Sequence, residues 1–236
     1  MFSIIIPVYN GEETISENIQ KVYVLFKSLK YLFEIIVVDD GSTDDTYLRL
    51  KEITLPIKIY QKPVNQGKGA ALKTGYKLIS KDTDYIIFMD ADLQVEPSDI
   101  TCFIKQMAHF NADGVVGNKH HIYSNTTYSL RRKVLSDCYS LFCRILFGVS
   151  LRDTQCGFKL FKRKVIDLVF QRVLGKRFAF DLELIVALRE NKIRIIDSPV
   201  YVYGLQKSTV KPNTIMDIFI DTCAVWYRQK KGWYKV

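Results

Sequence analysis

Two carboxylates, Asp90 and Asp92, stand two residues apart in FMDADLQ, and the apolar run YIIFM leads directly into them. In an extended segment, residues two apart point to one side, so these charges would repel unless a cation or hydrogen-bond donors lay between them. Hard oxygen ligands of this kind suit Mg2+ or Mn2+, which bind through one or two carboxylates and complete their shell with phosphate oxygens and water. A bare DxD tripeptide is common by chance, and the apolar strand before it is what gives it weight. Two more polar loops follow apolar runs: PVYN, Pro7 to Asn10, and DDGSTDDT, Asp39 to Thr46. Any one of the three could be ordinary turn and capping chemistry; all three together are harder to explain that way. In NQGKGAALKTGY, glycines flank Lys68 where a helix opens, and free backbone amides there would suit an anion. Neither the GxxxxGK[ST] spacing of a phosphate-binding loop nor the GxGxxG of a dinucleotide fingerprint is present.

In an open α/β sheet, ligands bind beyond the carboxyl ends of the strands, so these loops need strands to deliver them. The sequence predicts strands at Ser3 to Val8, Glu34 to Val38, Ile57 to Gln61, Tyr85 to Met89 and the GVVG of 114–117. Between the first two, Ile15, Ile19, Val22, Phe26 and Leu29 form the stripe of a helix packed on the sheet, with Thr14 as its expected N-cap. Pro97 opens a second such helix carrying Ile100, Phe103, Ile104 and Met107. Strands alternating with helices specify an α/β fold with a mostly parallel sheet. Farther along, two apolar stripes, Val134 to Val149 and Ile215 to Trp226, read as helical core faces or as surfaces that contact a membrane. No repeat or linker splits the chain, so one domain over 1–236 is expected.

With 236 residues and 48% apolar composition, the chain can bury a substantial core. A net charge of +9 favours an anionic partner, unless the lysines are simply solvated. No basic run alternates with aromatics, so a nucleic-acid partner is not expected. Five cysteines without CxxC pairs argue against a disulfide framework and a structural zinc site, and fit a reducing, cytoplasmic setting. The apolar stretches are broken by Asp137, Arg144, Asp217 and Asp221, too often for a spanning helix. Any membrane association should be peripheral.

Taken in order, IIIPVYN, IIVVDDGSTDDT, NQGKGAALKTGY, FMDADLQ and RDTQCGFKLF resemble the inverting GT-A type glycosyltransferases of family 2. The chain is most similar to the enzymes of that family that glucosylate or mannosylate dolichyl and other polyprenyl phosphates. The resemblance implies a GT-A (Rossmann-like) domain, with about 1–117 binding a nucleotide-sugar donor and about 118–236 binding the acceptor through interfacial helices. It implies that Pro7, Tyr9, Asn10, Asp39 and Asp40 surround the nucleoside, that Lys68 lies near the donor, that Asp90 faces ribose and metal, and that Asp92 faces the metal. It sets Asp153 close to the reacting centre and Asp181 and Glu183 on a helix near the site, where Asp153 or Asp181 could serve as base. Arg131 and Arg132 match arginines that receive the acceptor phosphate, a role suited to bidentate guanidinium pairing. Read alone, Asp153 could equally be a cap, the arginines a solvated basic patch, and Asp181 and Glu183 surface residues. The implied partners are a nucleotide sugar and a polyprenyl phosphate at the cytoplasmic membrane face; a glycan hydroxyl acceptor and a non-catalytic sugar-nucleotide-binding module are the alternatives. Two features depart from the family's pattern. No spanning helix is present, although the tail WYRQKKGWYKV suits a headgroup region. Gly11 also shifts Glu12 and Glu13 by one position.

Overall fold

The computed structural model of the chain describes residues 1–121, 123–124, 130–177, 179–202 and 212–236, with 130–137 and 212–217 described by backbone alone. Phe2–Val8 (β1) and Phe33–Asp39 (β2) pair in parallel, Ile4 opposite Ile35. Nearly every residue of both strands is buried because helices cover both faces of the sheet. Lys58–Gln61 (β3) adds an exposed edge beside β2, and Tyr85–Phe88 (β4) pairs on the other side of β1. Pro7 is tolerated in this central strand because the β1–β4 register ends at Ile5 opposite Phe88.

The expected stripe becomes helix α1, Ile15–Ser28, burying Ile15, Ile19, Val22 and Phe26. Thr14 occupies the expected N-cap position, although its side chain makes no capping bond. Thr46–Lys51 (α2) and Lys68–Lys77 (α3) follow β2 and β3. Pro97 opens a short 3-10 turn that runs into α4, Ile100–His109, and Gly114–Asn118 is β5.

The second half is more regular than its sequence suggests. After α5 (Leu130–Phe147) come β6 (Lys159–Lys162), α6 (Arg163–Val169), α7 (Ala179–Glu190), β7 (Ile195–Pro199) and α8 (Pro212–Lys230). The seven strands form one sheet ordered β3-β2-β1-β4-β6-β5-β7, in which only β6 runs antiparallel to its neighbours. Both halves of the chain therefore build the same sheet. Helix α7 is buried all round, as a helix with no polar face must be, and Phe180 anchors it among the rings of Phe88 and Phe170. Among the described residues, no helix is long and apolar enough to cross a membrane.

Candidate functional site

The polar loops gather beyond the carboxyl ends of β1, β2 and β4. Asp39 ends β2 and is fully buried. Its Oδ1 accepts from the Ser42 amide (2.9 Å) and hydroxyl (2.5 Å), while its buried Oδ2 has no hydrogen-bond partner. A buried carboxylate oxygen is costly to leave unsatisfied, so Oδ2 marks a place where a ligand N–H or O–H would be welcome. Asn10, in the left-handed region at φ 50°, joins the same rim: its amide donates to Ser42 Oγ (2.9 Å) and its Oδ1 accepts from the Thr43 amide (2.9 Å). Tyr9 beside it is 47% exposed, whereas Pro7 is buried in β1. Gly11 and Glu12, the departure from the family pattern, tie this loop to α2. The Gly11 amide donates to Thr46 Oγ1 (2.8 Å), and Glu12 Oε2 accepts from the Asp45 amide (2.8 Å).

Asp40 faces inward instead. Lys62 Nζ lies 2.6 Å from its Oδ1, both side chains being buried, and the Gln66 and Gly67 amides donate to the same carboxylate at 3.2 and 2.6 Å. Asp40 thus staples the 63–67 loop to β2. Gly67, at φ +95°, then opens α3, and a Cβ there would lie 2.4 Å from the Lys176 carbonyl oxygen. That carbonyl accepts from the Gly69 (2.8 Å) and Ala70 (3.3 Å) amides. The free amides expected at this helix start are therefore occupied by the protein itself, which corrects the anion-binding reading of the GKG turn.

Lys68, the first residue of α3, reaches Asp90 Oδ1 (2.7 Å) and Asp181 Oδ2 (3.2 Å). Burial alone would lower its pKa, but the charges of Asp181 and Asp90 outweigh that and hold the ammonium firmly protonated. Asp90 and Asp92 lie in a turn rather than an extended segment, the Leu93 amide bonding back to the Asp90 carbonyl (3.3 Å). The two carboxylates still sense each other. Desolvation and the Asp90 charge raise the Asp92 carboxyl above its ordinary value. Desolvation pushes Asp90 the same way, but Lys68, with Lys159 and Lys119, brings it below its ordinary value. Asp90 is packed tightly on one side, since a Cβ at Gly157 would lie 1.7 Å from its Oδ2. The buried Asn18 amide holds the Ala91 carbonyl (2.9 Å) from α1, and Leu93 is forced to φ 45°, a conformation that branched side chains seldom adopt. Two like-charged carboxylates, one of them exposed, are a donor set that a Mg2+ or Mn2+ ion fits.

The second half supplies the opposite wall. Asp181 and Glu183 are buried, not surface residues of α7. Asp181 lies between two ammonium groups, Lys159 at 2.5 Å from Oδ1 and Lys68 at Oδ2. Lys159, fully buried in β6, also donates to the Cys156 carbonyl. Asp153 is buried and accepts from the Gln155 (3.0 Å) and Lys119 (3.2 Å) amides, so it does cap its loop. The side chains of Arg131 and Arg132 lie outside the described residues. Sequence reasoning missed Asn18, Lys62 and Lys159. A lysine inside the apolar run GFKLF was the available signal, because burial there demands a carboxylate partner. Beside the 63–67 loop opens a cleft of about 570 Å³, with Gln66, Lys176 and Arg177 on one side and Ile220 and Ala224 of α8 on the other.

This geometry agrees with what the chain is similar to. The profile of glycosyl transferase family 2 matches residues 3–170. A dolichyl-phosphate beta-glucosyltransferase of Trichomonas vaginalis is 28% identical over 243 residues, covering 96% of this chain and 73% of its own. One from Dictyostelium discoideum is 27% identical, covering 99% and 76%. Glucosyl-3-phosphoglycerate synthase from Mycobacterium tuberculosis, solved in complex with Mn2+, UDP-glucose and phosphoglyceric acid, superposes with a TM-score of 0.71 at 18% identity over 96% of this chain and 79% of that one. Such a likeness carries the fold, GT-A, and not the substrate. With the profile spanning most of the sheet and every loop of the site up to Gly157, the chain belongs to glycosyl transferase family 2.

Proposed function

We propose that the protein transfers a hexose from a nucleotide sugar of the UDP-glucose or GDP-mannose type to a dolichyl or other polyprenyl phosphate, with inversion and with a divalent metal. In this reading residues 1–117 hold the donor and 118–236 present the acceptor. Tyr9, Asn10 and Asp39 form the nucleoside end, with Asp39 Oδ2 as the acceptor for a base or ribose donor, while Pro7 in β1 and Asp40, stapled to Lys62 and the 63–67 loop, support it from behind. Asp90 and Asp92 would hold Mg2+ or Mn2+, which when bound offsets the charge that develops on the leaving diphosphate. Lys68 keeps Asp90 ionised, and Gly157 lets its carboxylate lie flat against the 153–157 loop.

One observation carries the choice of acceptor. The two candidate bases are both committed: each oxygen of Asp181 faces an ammonium and each oxygen of Asp153 accepts a backbone N–H. A hydroxyl acceptor needs a base, whereas a phosphate monoester, with its second pKa about 6, arrives already ionised. Asp153 and Asp181 then act by shaping the pocket and holding Lys68 and Lys159. Lys176, Arg177 and Arg228, which outnumber Asp221 in the cleft lining, and the apolar Leu174, Ile220 and Ala224 suit an anionic head with an isoprenoid tail, and Arg131 and Arg132 remain the proposed phosphate ligands. Exposed Leu141 and Ile145 on α5 and Phe219 and Ile220 on α8, with the Phe142 and Phe219 rings stacked at 6.3 Å, support a peripheral seat on a membrane. The C-terminal tail contributes less to that surface than its sequence suggests, because Tyr234 is buried.

The test is to incubate the protein and Mn2+ with labelled UDP-glucose or GDP-mannose and a polyprenyl phosphate. Butanol-extractable label is the expected product; turnover with glycan acceptors alone would refute the lipid-phosphate reading.

A further inference from the structure

Glu183 has no exposed surface and does not touch the site, yet three hydrogen-bond donors and a guanidinium surround it. Its Oε2 accepts from the Leu174 (2.9 Å) and Gly175 (2.5 Å) amides, and its Oε1 accepts from the Tyr234 hydroxyl (2.5 Å) and pairs with the Arg228 guanidinium (2.9 Å), whose Nε–H donates to the Tyr234 hydroxyl oxygen (3.0 Å). The approach is close enough that a Cβ at Gly175 would lie 2.9 Å from Oε2. Tyr234 is itself fully buried, and Asn191 holds the same tail by donating to the Tyr234 carbonyl (2.6 Å) and accepting from the Val236 amide (2.9 Å). Trp233 and Arg172 exchange hydrogen bonds, each side chain donating to the other's carbonyl at 2.8 Å.

The loop clamped in this way, 172–177, has a second face. From it the Lys176 carbonyl caps α3 through the Gly69 and Ala70 amides, and the Val173 carbonyl accepts from Lys73 of the same helix. Helix α3 begins at Lys68, which bridges Asp90 and Asp181. Asp181 lies two residues before Glu183 on α7. One buried carboxylate therefore joins the C-terminal segment, the loop that caps α3, and the helix that carries the partner of Lys68.

We propose that Glu183 and Tyr234 are positioning residues: the C-terminal segment locks the 172–177 loop, and through the cap on α3 it sets Lys68 against Asp90 and so determines donor affinity. The inference rests on the donor pocket proposed above. A clamp that only supported the fold would change stability alone. A clamp that positions Lys68 changes nucleotide binding in a protein that still folds.

The experiment is calorimetric titration of the full chain with UDP and with GDP, each with Mn2+, alongside the unfolding temperature. Tyr234→Phe keeps the ring and removes one buried hydrogen bond, and should weaken binding of the preferred nucleotide about 5- to 20-fold. Glu183→Gln keeps an oxygen for the loop amides and should recover most of the affinity that Glu183→Ala loses. If Tyr234→Phe does not fold, Trp233→Phe at the exposed rim of the clamp should shift affinity in the same direction by a smaller factor. Unchanged nucleotide affinity with a lowered unfolding temperature overturns the proposal. If the wild type binds neither nucleotide, the donor reading falls, and this inference falls with it.

Discussion

The two halves of the chain place their charged residues by different means. In residues 2–118 the carboxylates of the site stand where parallel strands stop: Asp39 accepts from the Ser42 amide and hydroxyl, Asp92 is exposed, Asp90 pairs with the partly exposed Lys68, and Asp40 turns inward. In residues 119–236 Lys159, Asp181 and Glu183 lie inside the core and are held by partners from other elements. A carboxylate at a strand end can be removed without opening the core. One paired inside it cannot, because its partner is left buried and uncompensated.

Asp181→Asn should show this most strongly. It leaves Lys68 and Lys159 facing a neutral amide, and urea unfolding should register a loss of about 3–5 kcal/mol together with lost hexose transfer. Full stability in that variant would erase the distinction between the halves. Asp92→Ala is the counterpart at the strand end. Turnover with Mn2+ should fall about 10²- to 10³-fold while the urea midpoint holds, and chelation by EDTA should reproduce the loss in the wild type. Gly157→Ala tests where the halves meet. A methyl 1.7 Å from Asp90 Oδ2 must push that carboxylate away, so turnover should drop about 10- to 100-fold with the far-UV spectrum retained. The smallest effect concerns thiols. Burial, and then the Asp153 charge, push the Cys156 thiol up to about 11, so at pH 8 it should resist iodoacetamide while exposed Cys138 and Cys223 are labelled, as mass spectrometry would show.

The same contrast explains how much could be read from the sequence. Alternating apolar runs and polar loops revealed β1 to β5, α1 and the order of the site loops, because a parallel strand is apolar on both faces and its loop carries the ligands. The places of Asp39, Asp90 and Asp92 at the ends of β2 and β4 were legible for that reason. Strand β6 was not, since KLFK reads as two lysines around two apolar residues, and only the Asp181 partner explains why Lys159 is buried. Glu183 was hidden in the same way: FDLEL shows two acids on a helix, and nothing local shows that Tyr234, 51 residues on, supplies a hydroxyl. The free amides expected at the start of α3 were wrong because their acceptor, the Lys176 carbonyl, comes from a loop with no motif of its own. Pairings across long sequence separations leave no periodic trace.

The place of β6 bears on how the molecule is made. It sits between β4 and β5 although it leaves the ribosome after both. A nascent chain that has reached Asn118 therefore carries an open flank along Ile86 and Ile87, with β5 unable to dock, until Lys159–Lys162 emerge to fill the gap. Cutting the gene after Asn118 would freeze that exposed flank permanently, so the segment that carries most of the recognisable motifs should aggregate rather than fold as a stand-alone module.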